Sequence, residues 1–442
     1  MSTSASRLDL VHALENTSGI DPSQIADYLD FLIPTLDRHR DGREPVVFFF
    51  PTLEWIGHVC QDAHVVKALY DPKRYQLFFI LSRPRWYLNQ SVIDVALRDV
   101  VPVHAGETLT AWNVAVSHAA LVRGIGVRHR GYEFVFGGQG GGLLEKYTPF
   151  RFRDRPFGTF RLTAEELDER SALLARLGIE QDARIVVLHV RSSGYWDARS
   201  PGIDDFNRFR DADIANYGPA IELLIESGYH VVRIGDDRMP RCPVVDPRVL
   251  DAPFHPNYTP FVDVAVVSAC ELFIHSCSGP QDLARGFGRR MACMNGHISN
   301  NWPMEPGEFF LAKGYELVGR GDRLSIPEMI NLDLCAATSG RQFAEAGVNL
   351  VENTPAEIRS ATAELIVALG HERMWSMPAG EGFRALAKQE HERRLVRYDP
   401  TPPRRTFQMW QPSVGMASVA LETQPDLLDG ELLPLEERLF RF

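Results

Sequence analysis

Short apolar runs alternate with amphipathic segments along most of the chain, and glycine, proline and polar residues separate them. In the first half, apolar runs at 46–50 and 75–81 flank a helical segment that begins near Gly57 and His58. A strand, a helix and a second strand in this order form a right-handed crossover between parallel strands. Further buried strands are predicted at 183–191, 229–234, 272–274 and 291–294. The pattern therefore predicts an α/β fold with two Rossmann-like halves.

Breaks in this pattern divide the chain into four predicted segments. Residues 1–42 form an N-terminal helical segment, and residues 43–155 form a first Rossmann-like domain. The basic stretch 151–161, which prolines interrupt, is a predicted linker. Residues 160–372 form a second Rossmann-like domain, and residues 373–442 form a tail that we expect to pack back on the first domain.

One strand, loop and helix unit in the second domain suggests a ligand site. After the predicted strand 272–274, the chain carries small and polar residues and then a helix start: Ser276, Ser278, Gly279 and Pro280. Parallel sheets bind ligands at the carboxyl ends of their strands. Free amides at a helix start, with no acidic residue before Asp282, suit an anion such as the diphosphate of a nucleotide. An ordinary capped helix is the alternative.

Two basic residues, His189 and Arg191, stand at the end of the predicted strand 183–191. A guanidinium group there could bind phosphate oxygens in a bidentate manner and stabilise charge on a departing diphosphate. The alternative for Arg191 is an ion pair at the surface. His189, two residues earlier on the same strand face, suits an oriented structural role better than a catalytic one.

His58 is the second catalytic candidate, because it follows a glycine at the start of the first predicted helix of the first domain. Its ordinary pKa near neutrality would let it accept a proton from an acceptor hydroxyl. A histidine packed beneath the following loop is the alternative.

Two further motifs are assigned more modest roles. Asp211 and Asp213 have the DxD spacing of metal-dependent glycosyltransferases, but they precede Asn216 and a helix, so we predict helix capping and no metal. The glycine cluster 137–142 lacks the GxGxxG spacing of a dinucleotide fingerprint. It is either a flexible loop near the cleft or an ordinary surface loop.

Composition narrows the function classes. The 442 residues are 45% hydrophobic and 24% charged, as in soluble globular proteins, and the net charge of −11 argues against nucleic-acid or anionic-membrane partners. The six cysteines include no CxxC pair and suggest reduced core thiols. The chain starts without a basic and then apolar leader, and no long apolar run occurs. We therefore expect a cytoplasmic protein without a membrane span.

Several segments in order resemble a bacterial family of glycosyltransferases that is distantly similar to the GT-B fucosyltransferases. They are IGHVCQD, HVRSSGY, RDADIANYGPAIELLIESGYHVVRIGD, FIHSCSGPQDLARGFG and NTPAEIRSATAEL, and the likeness covers roughly residues 46–369. The resemblance implies two Rossmann-like domains that face each other across a cleft, with the acceptor bound by the first and the donor by the second. Ser192 departs from the family, which often has aspartate at this position.

The resemblance also implies roles for individual residues. His189 and Arg191 would contact the donor diphosphate, and Gly235 and Asp236 would lie near the nucleoside. The remaining donor-binding residues would meet the phosphates, namely Ser276, Ser278, Gly279 and Pro280. Such enzymes commonly work without a metal.

We therefore expect an inverting, metal-independent hexosyl- or deoxyhexosyltransferase without a cofactor. Its donor would be a GDP-, UDP- or dTDP-linked sugar, its acceptor an unidentified hydroxyl or amine, and a homodimer is compatible with this expectation. His58 would act as base, and Arg191 would stabilise the leaving diphosphate. The alternatives are a nicotinamide-dependent oxidoreductase, and a nucleotide-sugar-binding or scaffold protein whose catalytic residues have drifted.

Overall fold

The structure is a computed structural model, and it describes most of the chain in separate stretches. These are residues 22–50, 55–82, 89–104, 126–135, 156–192, 207–298, 307–337, 339–370, 378–396 and 415–434, with single positions at 53, 106, 147, 150 and 153. The predicted glycine loop 137–142, residues 151, 152, 154 and 155 of the predicted linker, and part of the tail lie outside them.

The first unit contains a five-stranded sheet with three described helices. The strands are β1 Glu44–Phe50, β2 Tyr75–Leu81, β3 Val100–His104, β4 Gly126–His129 and β5 Tyr132–Val135, and the helices are α1 Pro22–Asp37, α2 Ile56–Leu69 and α3 Gln90–Ala96. The strand order is β3-β2-β1-β5-β4, and every pair is parallel except β4 with β5. Strands β1 and β2 are almost continuously apolar because the sheet buries both of their faces. The predictions for 46–50 and 75–81 are confirmed.

The second unit contains a seven-stranded parallel sheet. Its strands are β6 Arg184–His189, β7 Tyr229–Arg233, β8 Val249–Asp251, β9 Leu272–His275, β10 Arg290–Gly296, β11 Phe309–Ala312 and β14 Gly415–Met416. A separate antiparallel pair is formed by β12 Gly314–Leu317 and β13 Val348–Val351. The described helices are α4 Ala164–Arg176, α5 Gly218–Glu226, α6 Phe261–Ala269, α7 Gln281–Gly286, α8 Ile326–Asn331, α9 Gly340–Glu345, α10 Pro355–Leu369, α11 Pro378–Val396 and α12 Ser418–Thr423.

The order of these strands is that of a Rossmann sheet. The sequence β8-β7-β6-β9-β10-β11 across the sheet corresponds to the order 3-2-1-4-5-6, and β14 is added beside β11. All neighbours in this sheet pair in parallel. The expected α/β class with Rossmann-like units is therefore confirmed. The order reverses between β6 and β9, and in Rossmann sheets the ligand crevice lies at such a reversal, outside the carboxyl ends of the strands.

Local sequence explains where the helices flanking this sheet begin. The side chain of Thr163 accepts a hydrogen bond from the amide of Glu166, whose carboxylate accepts from the amide of Thr163 in return. Thr354 and Glu357 form the same capping box before α10. Each box satisfies two amides that a helix start would leave without partners, which fixes where these helices begin.

The chain divides into two compact units. The first comprises residues 1–149, 159–161 and 399–405, and the second comprises the rest. The predicted bounds 43–155 and 160–372 remain a proposal. The described end of the tail packs on the second unit, where β14 pairs with β11. Packing of the tail on the first domain therefore remains a prediction for the other tail residues.

Candidate ligand site at the carboxyl ends of β6 and β9

His189 ends β6 directly beside the end of β9, and its ring is fixed by two hydrogen bonds. Its Nδ1 atom lies 3.1 Å from the carbonyl oxygen of Ile234, which can only accept, so Nδ1 carries the hydrogen. The Nε2 atom therefore accepts a hydrogen bond from the hydroxyl of Ser278 at 2.9 Å. Burial lowers the pKa of His189 to about 4, so the ring is neutral at physiological pH.

The loop after β9 is attached to β6 by Ser276 as well. The hydroxyl oxygen of Ser276 accepts a hydrogen bond from the amide of Arg191 at 2.8 Å, and the amide of Ser276 donates to the carbonyl of His189 at 3.2 Å. Ser276 is fully buried, whereas Ser278 is 9% exposed. The structure thus brings the predicted residues of β6 and of this loop together, but the hydroxyl hydrogen of Ser278 is already donated to His189.

The start of α7 does not offer the free amides that we predicted. The amides of Gln281, Asp282 and Leu283 donate to the carbonyls of Ser278, Gly279 and Pro280, at 3.1, 3.0 and 3.2 Å. The prediction is wrong for these three amides because the loop closes as a succession of tight turns that uses them. The helix itself has only six residues. These three amides are therefore not available to an anion at this edge of the sheet.

Arg191 is the main cationic side chain at the crevice. Its guanidinium is 7% exposed, forms an ion pair with the carboxylate of Asp211, and donates to the main-chain carbonyl of Asn207 at 3.1 Å. Asp211 lies at the end of the long loop after β6, where the chain returns to the sheet and the amide of Ala212 donates to the carbonyl of Arg191. A phosphate that bound this guanidinium would therefore have to compete with the carboxylate of Asp211.

The two aspartates of the DxD motif have different roles. The carboxylate of Asp213 accepts from the amide of Ala215 at 2.9 Å at the start of the 3-10 helix Ile214–Tyr217, so the capping prediction is confirmed for Asp213. It is wrong for Asp211, which pairs with Arg191 instead. Sequence alone could not separate these roles because Arg191 and Asp211 meet only after the loop between them has folded.

Lys313 is a site residue that the sequence analysis missed. It directly follows β11, is 5% exposed, and its Nζ atom donates to the main-chain carbonyl of Asp211. Burial is the largest cause of its lowered pKa. Glu352 lies nearby and accepts a hydrogen bond from the amide of Asp213 at 2.8 Å. The sequence analysis predicted no strand here, and the short apolar run 309–312 directly before Lys313 would have been the available signal.

Gly235 and Asp236 follow β7, the neighbour of β6 on the other side. Gly235 has φ of +150°, and a Cβ atom at this position would lie 2.2 Å from the Sδ atom of Met239, so glycine is required. The carboxylate of Asp236 accepts from the amide of Arg238 at 2.8 Å and is partly exposed. An acidic residue at the end of this strand is where Rossmann proteins bind the ribose of a nucleotide.

His58 lies in the first unit, near the start of α2, where its ring contacts Trp55 edge to face at 4.5 Å between centroids. Its role as a base remains a prediction.

Neither a metal site nor a membrane span is found in the described parts of the chain. The described residues contain no group of three His, Cys, Asp or Glu side chains that could hold a metal ion. The predicted independence from metals remains a prediction. In the same residues, no helix combines the length and apolar character needed to cross a membrane.

No family profile and no curated protein matches the sequence. Several solved structures do, at low similarity. They include the ADP-heptose LPS heptosyltransferase II of E. coli, with 11% identity, coverage of 69% of this chain and 98% of that chain, and a TM-score of 0.38. A family 9 glycosyltransferase of Veillonella parvula has 13% identity, coverage of 62% and 86%, and a TM-score of 0.36.

The iron-containing dodecameric glycosyltransferase TibC of enterotoxigenic E. coli has 14% identity, coverage of 62% and 64%, and a TM-score of 0.33. Likeness at this level carries no argument about fold or function. The fold assignment therefore rests on the strand order, and the site assignment rests on the contacts described above.

Proposed function

We propose that the protein is a glycosyltransferase that takes its sugar from a nucleoside-diphosphate sugar. The observation that carries the proposal is Arg191, a buried guanidinium at the point where a sheet of Rossmann order reverses between β6 and β9. Nucleotides bind at this position in such sheets. The resemblance of the sequence segments to GT-B glycosyltransferases supports a sugar donor over other nucleotides.

In the proposed reaction, the diphosphate of the donor replaces the carboxylate of Asp211 on Arg191. The guanidinium then stabilises the charge that develops on the leaving diphosphate as the bond to the sugar breaks. Lys313, which contacts the main chain of Asp211, adds a second positive charge at the same edge. Asp236, after β7, would accept hydrogen bonds from the ribose.

The acceptor would bind to the first unit, and His58 would remove the proton of the attacking hydroxyl or amine. Direct attack on the sugar inverts its anomeric configuration. The two cationic side chains Arg191 and Lys313 favour a reaction that needs no metal, since they supply charge that a divalent ion would otherwise provide. The nucleotide is GDP, UDP or dTDP, with a hexose or deoxyhexose as the sugar, in a cytoplasmic enzyme.

A thermal-shift panel of GDP, UDP, dTDP, CDP, ADP and NAD, each with and without magnesium, tests the proposal. We expect one diphosphate to raise Tm without magnesium, and Arg191→Ala to abolish the shift. Arg184→Ala is the matched control, because Arg184 lies at the other end of β6 and forms an ion pair with Glu271. A shift that survives Arg191→Ala but not Arg184→Ala would refute the donor site.

Two other functions are distinguishable in the same panel. A nicotinamide-dependent oxidoreductase is favoured by Asp236 at the ribose position after β7, and it predicts stabilisation by NAD alone. A nucleotide-sugar-binding protein without catalysis predicts stabilisation by a diphosphate, but neither transfer to any acceptor nor slow hydrolysis of the sugar nucleotide.

A further inference from the structure

Lys67, on helix α2 of the first unit, is a buried amine that has no polar partner among the described residues. The residue is 3% exposed. Among the residues that the structure describes, no acceptor lies within hydrogen-bond distance of its Nζ atom. Its described neighbour is the ring of Phe160, whose centroid is 5.2 Å from Nζ. A protonated amine is poorly solvated in such a place, which favours the neutral form.

The charged groups around Lys67 have opposing effects on its pKa, and burial has the largest effect. Arg98 and Arg161 oppose its protonation, whereas Asp99 and, more weakly, Cys60 favour it. The carboxylate of Asp99, however, already accepts a hydrogen bond from Arg161 at 2.7 Å. Burial, which is the largest cause, lowers the pKa of Lys67 to about 7. A large share of the amine therefore carries a free lone pair at physiological pH.

We propose that Lys67 is a carbon dioxide binding site, at which the buried amine forms a carbamate. The lone pair of Nζ attacks the carbon of carbon dioxide, a C–N bond forms, and one C=O electron pair moves to oxygen. The amine then releases a proton to solvent, so that Lys–NH₂ and CO₂ give Lys–NH–COO⁻ and H⁺. No oxidant or further reactant is needed.

Carbon dioxide fits this site better than other electrophiles do. It is small, neutral and apolar, so it can reach an amine that is 3% exposed without the desolvation cost that an anionic acyl donor would carry. Its carbamate product is an anion, and the guanidinium groups of Arg98 and Arg161 are close enough to act on the charge of Lys67. The reaction would replace a cation beside these two guanidinium groups by an anion, which they attract.

The chain is well suited to a direct test, because its only lysines are Lys67, Lys73, Lys146, Lys313 and Lys388. The full-length protein would be equilibrated with ¹³C-bicarbonate in mildly alkaline buffer and treated with triethyloxonium, which converts carbamates to stable esters. Peptide mass spectrometry then locates the label. Lys67→Met and the exposed Lys73→Met form the matched pair.

We expect the label at Lys67 to exceed that at Lys73 by at least about tenfold, because an ordinary lysine in water is almost fully protonated at this pH. Lys67→Met should remove the label, and Lys73→Met should retain it. Label at the exposed lysines or the N-terminal amine but not at Lys67 would overturn the proposal. The label at Lys67 of the wild-type protein tests the proposal even if Lys67→Met fails to fold. This test is independent of the proposed transferase activity.

Discussion

The hydroxyl of Ser278 donates a hydrogen bond to the Nε2 atom of His189 across 2.9 Å. This bond joins the loop after β9 to the end of β6, at the position where the strand order of the second sheet reverses. It requires a neutral His189 whose hydrogen is on Nδ1, and the carbonyl of Ile234 provides that arrangement. The bond between this loop and β6 therefore depends on the protonation state of one histidine.

The first prediction concerns the pH dependence of stability. The pKa of His189 is about 4 in the folded protein and 6.5 when unfolded. Between these values the unfolded chain binds the proton and the folded chain does not, so stability is lost as pH falls. The loss approaches about 3 kcal/mol near pH 4. Chemical denaturation at a series of pH values measures it.

Two variants isolate this contribution of His189. In His189→Gln, the contribution of this residue to the slope of unfolding free energy against pH should disappear. His230→Gln is the control, because His230 lies on the neighbouring β7 and is partly exposed. This variant should retain the contribution of His189 to the slope of unfolding free energy against pH. An unchanged slope in His189→Gln would show that other groups cause the loss.

The second prediction concerns the ion pair of Arg191 and Asp211. Asp211→Asn leaves a largely buried guanidinium without its carboxylate, so the unliganded protein should lose about 3 kcal/mol of stability. The same variant should bind the nucleoside diphosphate more tightly, because the ligand no longer competes with a carboxylate for Arg191. Denaturation and calorimetric titration measure the two effects.

Asp213→Asn is the matched control, because Asp213 caps a helix start and asparagine caps equally well. Neither stability nor affinity should change much. If Asp211→Asn weakened diphosphate binding as strongly as Arg191→Ala does, the phosphate would not bind in place of the carboxylate.

The third prediction concerns Asn295 and Asn353, which exchange hydrogen bonds between their amides and side chains at 2.7 and 2.6 Å. Asn353 also donates to the carbonyl of Ala312 at 2.7 Å. Asn353→Ala leaves the buried amide of Asn295 and this carbonyl without partners, so we expect a loss of roughly 2–4 kcal/mol. The exposed Asn349→Ala, on β13, should cost less than about 0.5 kcal/mol.

The fourth prediction concerns the buried amine of Lys67. Its pKa is about 7 in the folded protein and 10.5 when unfolded, so the unfolded chain binds more protons between these values and stability rises with pH. In buffer depleted of carbon dioxide, Lys67→Met should therefore stabilise the protein at neutral pH by roughly 1–3 kcal/mol.

The gain from Lys67→Met should shrink as pH increases to 10.5 and above, because the lysine then becomes neutral in the unfolded state as well. The exposed Lys73→Met should show no such dependence. A gain that stays constant with pH would mean that methionine packs better, and that charge burial is not the cause.

Local sequence was sufficient to predict the strands β1, β2, β6, β7, β9 and β10, because each is a short apolar run with polar residues on both sides. The helix starts at Thr163 and Thr354 are encoded as locally, because cap and glutamate are three residues apart. The capping role of Asp213 followed from the same local logic. The short strand β14 is two residues long and has no such signal.

The sequence by itself determined that the chain is an α/β protein and that His189, Arg191 and the loop from Ser276 lie at strand ends. Only the tertiary structure decided which partners these groups have. It paired Arg191 with Asp211, engaged the hydroxyl of Ser278 and added Lys313, and among the described residues it left Lys67 without an acceptor. Propensity and capping act over a few neighbouring residues, whereas these contacts join residues that the order of the strands and the path of long loops bring together.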